Sequence, residues 1–566
     1  MNTRPHSWRS RLGSARRIHQ FLLGLLAAML LAGVVAYVRT VVPTASPSLA
    51  IDVGTDRHPI SPDIYGMNDY SMNAADVTLL KELRLTVHRW GGNHTTRYNW
   101  KINSSNAGDD WYFTGGPGSN GTADPRSGAP SYVDQLIDKD RINKTKSVIT
   151  VPMIGYVAKN RDALCGFSVA KYGRQQATNP YEPDCGNGKK PDGTTITGND
   201  PLDTSIVINQ TFVQDWIKHL TQRYGTAAQG GVTFYELDNE PSGWKNTHRD
   251  LYPQALSYDE LRDRTYQYAP AIKATDPSAK TLGPSDFGWA VYVNSEVSGD
   301  REAHGGVWFA EWYLQQMKAY EQQHGVRILD YFDEHYYPAQ TGIANAPAGD
   351  ANTQALRLRS TRSLWDPTYK DEGTWIGRYY PPLQLIPRFH RWVNKHYPGT
   401  KLAITEYNWG GLESINGALA QADVLGIFGR EQLDLATLWG PPTPTQPGAY
   451  AFRMYRNYDD QGSAYGDTWV RSTSSAQGRL AIYGAQRSRD GAVTLMIINK
   501  TGKDLTSGLA LKKFNPAAQG QVYTYSAANL SAVVRQPDQA VSATGFSAMY
   551  PANSITLVVI PTGSAT

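Results

Sequence analysis

Apolar and polar positions follow two regimes along the chain. Between residues 61 and 462, short runs rich in β-branched and aromatic residues alternate with stretches that place apolar residues every three or four positions. The strand candidates are Ile64–Asn68, Thr86–Gly92, Val148–Gly155, Val232–Asn239, Thr281–Phe287, Tyr331–Tyr337, Leu402–Asn408 and Leu433–Trp439. Helical patterns fall at Ala74–Glu82, Tyr132–Asp140, Thr211–Tyr224, Tyr258–Thr275, Val307–His324, Leu383–Tyr397 and Ala418–Glu431, with Tyr450–Tyr458 as an eighth. Phe212, Trp216, Leu220 and Tyr224 form the clearest stripe of a helix lying on a core. Eight strand–helix alternations predict an α/β fold, a parallel sheet closed into a (β/α)8 TIM barrel over residues 61–462. An open doubly wound sheet is the alternative, and no GxGxxG opens its first unit, which counts against nucleotide binding.

The pattern changes near residue 465. Short β-branched runs at Arg479–Tyr483, Val493–Ile498, Leu509–Leu511, Val522–Tyr525 and Ile555–Ile560 are separated by turn residues. They predict a C-terminal β-sandwich over residues 463–566. These strands are few for a complete sandwich, so residues 49–60, and Leu49–Val53 in particular, are expected to contribute a further strand from the other end of the chain.

The start of the chain has a different character. Residues 1–20 carry Arg4, Arg9, Arg11, Arg16 and Arg17, a basic leader expected on the cytoplasmic side. The uncharged run Phe21–Val38 would span about 27 Å as a helix. It reads as a hydrophobic transmembrane anchor or as a signal segment, with Val34-x-Ala36 or Ser48-x-Ala50 as weak cleavage sites. Residues 39–48 form a Pro/Ser/Thr linker. The rest of the chain is therefore expected to be exported, either held at the inner membrane facing the periplasm or exterior, or secreted.

Export changes the meaning of the two cysteines. Cys165 and Cys185 lie 20 residues apart and suggest one disulfide, with two unpaired thiols as the alternative. They fall in the longest irregular stretch, Lys159–Thr204, which also holds Asp184, Asn187, Asp192, Asn199, Asp200 and Asp203. Oxygen ligands at that density could hold a structural Ca²⁺, although turns use the same residues. A net charge of +4, much of it in the leader, gives no reason to expect nucleic acid as a partner. The 15 Trp and 34 Tyr, many beside Gly, Asn and Asp, suit the C–H faces of sugars.

Functional groups of an eight-fold barrel gather at the C-terminal ends of its strands. The fourth strand candidate runs into Glu240-Pro241, and proline ends the ladder there. The seventh delivers Glu406 to the same rim. Two facing carboxyls are the minimal apparatus for glycoside hydrolysis, one protonated to donate to the leaving oxygen and one ionised. Around them, Asn239 precedes the fourth-strand glutamate, Arg89 could keep Glu406 ionised, and His335 and Tyr337 end the sixth strand on one face. Asp238 is expected to point to the same side as Glu240 but to act behind it, and Tyr336 to face the helices. Trp439 is the first choice for a sugar-stacking floor, with Trp90, Trp244 and Trp409 as further candidates against core packing.

Three blocks carry a more specific resemblance: RWGGNHTTRYNW (Arg89–Trp100), ELDNEPSGWKNTHRD (Glu236–Asp250) and ITEYNWGG (Ile404–Gly411). Together they resemble glycoside hydrolase family 44, a family of retaining barrel glycosidases, from about Ile51 to the end of the chain. The resemblance implies Glu240 as acid/base, Glu406 as nucleophile, Asn239 on the sugar 2-hydroxyl, no cofactor, and a sandwich built from both chain ends. Departures occur at His94, where a small residue is expected, and at Ser242-Gly243, where bulkier ones are. The implied function is endo-acting, retaining cleavage of β-1,4-glucosidic bonds in cellulose-like glucan, mixed-linkage glucan or xyloglucan, by a monomer. The alternatives are an exo-glycosidase or arabinofuranosidase of the same clan, or a membrane-anchored glycan-binding protein without catalysis. An accessory role in polysaccharide synthesis or export is compatible with hydrolysis.

Overall fold

The computed structural model describes residues 46–68, 74–118 and 121–563. The leader (1–20), the apolar run Phe21–Val38 and linker residues 39–45 lie outside the described residues. Among the described residues, no helix is long and apolar enough to cross a membrane.

Eight parallel strands close a barrel: β2 (Gly66–Asn68), β3 (Val87–Trp90), β4 (Lys146–Val151), β5 (Phe234–Leu237), β6 (Lys280–Asp286), β7 (Tyr331–Glu334), β8 (Lys401–Tyr407) and β9 (Leu435–Leu438). Each pairs with its sequence neighbour, and β9 returns to β2. The ring is parallel because a helix covers each return. The main outer helices are α1 (Ala74–Leu83), α2 (Tyr132–Asn143), α3 (Gln210–Tyr224), α4 (Tyr258–Thr275), α5 (Phe309–His324), α6 (Leu385–His396), α7 (Ile415–Arg430) and α8 (Pro447–Arg456). In α3 the expected stripe is the buried face: Phe212, Trp216, Leu220 and Tyr224, joined by Val213 and Ile217. Asn209 caps its first turn by accepting from Thr211 N–H, and Gly225 ends it at φ 82°.

The barrel interior is graded. At the N-terminal ends Val87, Val148, Phe234, Leu282, Tyr331, Ala403 and Leu435 form a buried apolar cluster. Further along the same strands, buried Arg89, Thr150, Glu236, Asp333, Thr405 and Thr437 replace it. A sealed apolar floor under a polar mouth confines the chemistry to one end.

The second unit is one sheet with the order β15-β14-β17-β12-β11-β10-β1-β13-β16, and the pair His58–Pro59 attaches to β10. Its strands are β1 (Leu49–Asp52), β10 (Thr468–Ser474), β11 (Leu480–Gln486), β12 (Val493–Asn499), β13 (Leu505–Lys512), β14 (Gln519–Ser526), β15 (Asn529–Ala540), β16 (Gly545–Tyr550) and β17 (Ser554–Ile560). β1 lies antiparallel to β10 and parallel to β13, so the early strand does enter the sheet. Three strands were not foreseen: β10, β15 and β16. β15 is mostly exposed and contains Pro537, so it lacks the apolar run that marks a buried strand.

The barrel and sandwich share buried contacts. Tyr483 and Lys500 of the sandwich both reach Asp423 on α7, at 2.7 and 2.6 Å. Tyr450 of α8 stacks on Tyr525 of β14 with centroids 4.7 Å apart. The sheet thus buttresses the barrel beside β8.

Candidate active site

The end of β5 leaves regular strand geometry twice. Asp238 has φ 68° and Glu240 φ 46°, both left-handed, and Glu240 stands before Pro241. Non-glycine residues hold such angles only where their surroundings enforce them. Asp238 is pinned by Thr96 Oγ1 at 2.6 Å, by the Asn239 N–H at 2.8 Å and by the Met153 N–H. Burial pushes its pKa up to about 6. Glu240 N–H donates to Ser285 O at 3.0 Å. These two turns abolish simple alternation. Asp238 faces the loop after β4, Asn239 swings inward, and Glu240 reaches the rim.

Arg89 organises the floor of the mouth. Its Nε donates to Glu236 at 2.8 and 2.9 Å, Nη1 to Asn68 and to Glu406 Oε1 at 2.8 Å each, and Nη2 to Asn239 Oδ1 at 2.8 Å. Burial opposes its charge, but Glu236 and Glu406 more than offset this and hold it protonated beyond its ordinary range. Glu236 is itself wholly buried. Burial would raise its pKa, yet Arg89, with help from His335 and Thr150, brings it down to about 2. Gly91 makes this packing feasible, because a Cβ there would run into the guanidinium.

The two rim glutamates meet through β7. His335 Nδ1 lies 2.9 Å from Glu240 Oε1 and 3.6 Å from Glu406 Oε2. Tyr337 OH donates to Glu406 Oε2 at 2.8 Å. A carboxylate oxygen of Glu240, one of Glu406 and a ring nitrogen of His335 all lie within 4.8 Å of one another. His335 is buried, which disfavours its charge, but Glu406, Glu236 and Glu240 together raise its pKa well above the usual value. Burial and the neighbouring Glu406 push the Tyr337 hydroxyl up, so it serves as a neutral donor. The Glu240 side chain is 21% exposed and that of Glu406 6%, so Glu240 is the more accessible to water.

The model of glycoside hydrolase family 44 matches residues 104–340. A solved family 44 xyloglucanase from Paenibacillus polymyxa, determined with xyloglucan, is 30% identical with a TM-score of 0.77, covering 91% of this chain and 100% of its own. The chain belongs to glycoside hydrolase family 44. CelM2, a bifunctional glucanase-xylanase from a metagenome library, is 41% identical with a TM-score of 0.86, covering 92% of this chain and 99% of its own. Endoglucanase A of Paenibacillus lautus is 32% identical over 474 residues, 81% of this chain. This family 44 chain spans 64% of that relative's length and 34% of the β-mannanase/endoglucanase A of Caldicellulosiruptor saccharolyticus.

The remaining expected residues divide. Trp439 is half-buried at the mouth and, with Asn408, lines an open cavity of about 840 Å³ that extends over Gly410–Glu413 and Gly440. Trp90, Trp244 and Trp409 are not stacking surfaces. Trp90 packs edge-on against Tyr98 and Trp216, Trp244 is fully buried under Arg264 and Tyr252, and Trp409 is buried with its Nε1 on Ser360 Oγ at 3.1 Å. Strand-end position alone did not separate rim from core for these rings. Tyr336 faces the helices as expected, with its hydroxyl on Ser363 at 2.9 Å. His94 lies edge-on to Trp90. Ser242 Oγ donates to the buried carboxyl of Asp286.

Asp184, Asp192, Asp200 and Asp203 do not gather into one cluster of carboxylates. Asp184 accepts from Ala170 N–H, Asp192 from Thr194, Asp200 caps the turn at Leu202, and Asp203 pairs with Lys171 and Tyr172. Among the described residues, the groups close enough to share a metal are Glu236–Asp333–His335 and Glu240–His335–Glu406. Cys165 and Cys185 do form a disulfide, with Cα atoms 4.7 Å apart. It fastens the 159–204 loop, which carries its own small core of Phe167 and Ile196 against Phe113.

Sequence reasoning overlooked Glu236, Asn68 and Thr150. Glu236 carried a usable signal: with Phe234 it occupies the inward parity of a barrel strand, where a lone acid requires a buried cation. Asn68 binds Thr405 O and Thr437 O across the strand ends, and nothing local to its sequence marks that role.

Proposed function

We propose that this chain is a retaining, endo-acting β-1,4-glucanase. The reading is carried by one carboxylate oxygen of Glu240 lying within 4.8 Å of one of Glu406. So close an approach suits the pair of carboxyls about 5–5.5 Å apart used in double displacement, and leaves little room between those oxygens for the water that inversion holds in a gap of about 6.5–9.5 Å. In the first step a Glu406 oxygen attacks the anomeric carbon, the glycosidic C–O bond breaks, and the Glu240 proton passes to the leaving oxygen. In the second, Glu240 takes a proton from water, the water oxygen bonds to the anomeric carbon, and Glu406 is released.

Each neighbour has a part in this scheme. Arg89 and Tyr337 orient Glu406 through its two oxygens. His335 braces Glu240 on the side away from the rim. Asn239, fixed by Arg89 and by Gly92 N–H at 3.1 Å, donates one Nδ2 hydrogen to Asn93 Oδ1 at 3.3 Å and has the second for the sugar 2-hydroxyl. The open cavity beside Trp439 offers room for further sugar units of a bound chain. Relatives whose names specify glucanase, xylanase and xyloglucanase activity make cellulose-like glucan and xyloglucan the first substrates to test, with xylan next. The disulfide supports export to an oxidising compartment, and the run Phe21–Val38 supplies an anchor or signal. The mass of the mature amino terminus distinguishes the two.

The test is reducing-sugar release from carboxymethylcellulose, xyloglucan and xylan. Glu240→Ala should nearly abolish polymer cleavage, still form the glycosyl-enzyme from aryl glycosides with good leaving groups, and regain turnover with azide. Wild-type polymer cleavage by Glu240→Ala would overturn the assignment, and release of monosaccharide alone would make the enzyme exo-acting.

A further inference from the structure

The sandwich sheet does not close on itself. Its two outermost strands, β15 and β16, follow one another in the chain, yet β15 pairs with β14 and β16 with β13. A slot of about 210 Å³ opens between these two edges into the sheet interior. Thr524, Thr556 and Val558 line it from β14 and β17, Gln536 and Gln539 from β15, and Tyr550 from β16.

Two hydroxyls in the slot stand out. Tyr550 is 1% exposed and Thr556 3% exposed, and neither Tyr550 Oη nor Thr556 Oγ1 has a hydrogen-bond partner. Nearly all buried polar groups are paired, because an unpaired one forfeits its hydration without return. Burial also pushes the Tyr550 hydroxyl well above its ordinary titration range, so it stays neutral. The slot therefore offers two buried groups that can each donate and accept, with the amides of Gln536 and Gln539 at its walls. Its other surfaces are apolar: Val522, Val558, Pro551 and the exposed Met549.

No charged side chain lines the slot, which argues against an ionic ligand. A peptide strand is also a poor occupant. Pro537 removes an N–H from the β15 edge, and the Arg535–Asp538 pair places charge along it, both devices that block strand addition. A neutral molecule with hydroxyls at its edges and C–H groups on its faces meets every requirement, and the volume suits one pyranose ring. We propose that the seam between β15 and β16 is a second carbohydrate site, which holds a single neutral glucosyl unit of a glucan chain away from the barrel. The inference rests on the reading of the chain as a glucanase, which brings that polymer to the sheet. A weak second grip would raise the effective concentration of chain at the cleft without entering the chemistry.

The experiment is calorimetric titration of cellotetraose into the full chain carrying Glu406→Gln, which stops turnover. Two classes of site are expected. Adding Tyr550→Phe and Thr556→Val should weaken one class by about tenfold or more, the loss of two hydrogen bonds, and leave the other unchanged. Met549→Glu, at an exposed rim position, should weaken the same class and decides the matter should the double variant fold poorly. In the otherwise wild-type chain these changes should leave hydrolysis of a small aryl cellobioside unaltered and lower kcat/KM on polymer. A single class of site in the parent, or two classes indifferent to all three substitutions, would overturn the proposal. So would a dimer in light scattering that Met549→Glu dissociates, since the slot would then belong to a second copy. Should Glu240→Ala cleave glucan normally while the second class of site persists, the catalytic reading fails and this site stands.

Discussion

Arg89 Nη1 donates to Glu406 Oε1 at 2.8 Å, and the guanidinium is wholly buried where the bond is made. A buried cation is tolerated because Glu236 neutralises it from the other side. The guanidinium that positions Glu406 therefore depends on Glu236, a wholly buried carboxylate that never meets substrate. Glu236→Gln should leave Arg89 with one anionic partner, lower stability by roughly 3–5 kcal/mol as for other broken buried pairs, and reduce kcat by at least about tenfold. Urea unfolding and steady-state kinetics on a soluble glucan measure both effects.

Arg89→Lys tests geometry rather than charge. An ammonium cannot reproduce the fork that reaches Glu236, Asn68, Glu406 and Asn239 at once. kcat/KM should fall by about a hundredfold or more, equivalent to two lost charge-assisted bonds. A variant with near-normal kcat/KM would show that the fork is dispensable.

Tyr337→Phe removes one hydrogen bond to Glu406 and little else, since the hydroxyl's partner is the carboxylate itself. The expected loss is about 10- to 100-fold in kcat, the range for a bond to a charged group. KM should change little, and the melting temperature should stay within a few degrees.

These predictions concern residues of very different legibility. All eight barrel strands and the main outer helices were visible in the sequence, because strands buried on both faces leave continuous apolar runs and helices leave four-residue stripes such as Phe212–Trp216–Leu220–Tyr224. Glu240, Glu406, Arg89, His335 and Tyr337 were visible because strand ends place them. What was hidden depends on long-range contact or on backbone exceptions. The left-handed turns at Asp238 and Glu240 overrode alternation and sent Asn239 inward. Trp90, Trp244 and Trp409 sit near strand ends like Trp439, but neighbours distant in the chain cover them. β15 was hidden because an exposed edge strand needs no apolar face.

The buried acid Asp286 gives the fold a pH dependence. Burial, and secondarily the charge of Glu240, raise its pKa from 3.8 to about 7. The folded state therefore holds a proton that the unfolded chain has released, and stability should fall as pH rises from about 4 through 7. Glu236, shifted down from 4.5 to about 2, adds an opposing slope that is complete by about pH 5.5, above which it is ionised in both states. Asp286→Asn should flatten the profile. Urea midpoints at pH 5 and pH 8 should differ less in the variant than in wild type, and an unchanged difference would remove Asp286 from the account.

The disulfide acts on a rim loop. Opening Cys165–Cys185 by Cys→Ser at both positions should cost about 3 kcal/mol, the chain-entropy value for a loop of this length. Because the loop packs on Phe113 through its own small core, activity at low temperature should survive. Thermal unfolding with and without reductant checks the first point, and glucan hydrolysis at low temperature the second.

β1 lies between β10 and β13, clamped on both sides by strands made more than 400 residues later. During synthesis it must wait as a loose ribbon until the last tenth or so of the polypeptide emerges. Once the sheet has formed, any pull on the segment upstream of Leu49 loads that strand in shear against two neighbours before it reaches the barrel. Tension applied on the amino-terminal side would be borne by backbone hydrogen bonds of the sheet before it disturbed the spacing of the carboxylates at the barrel mouth.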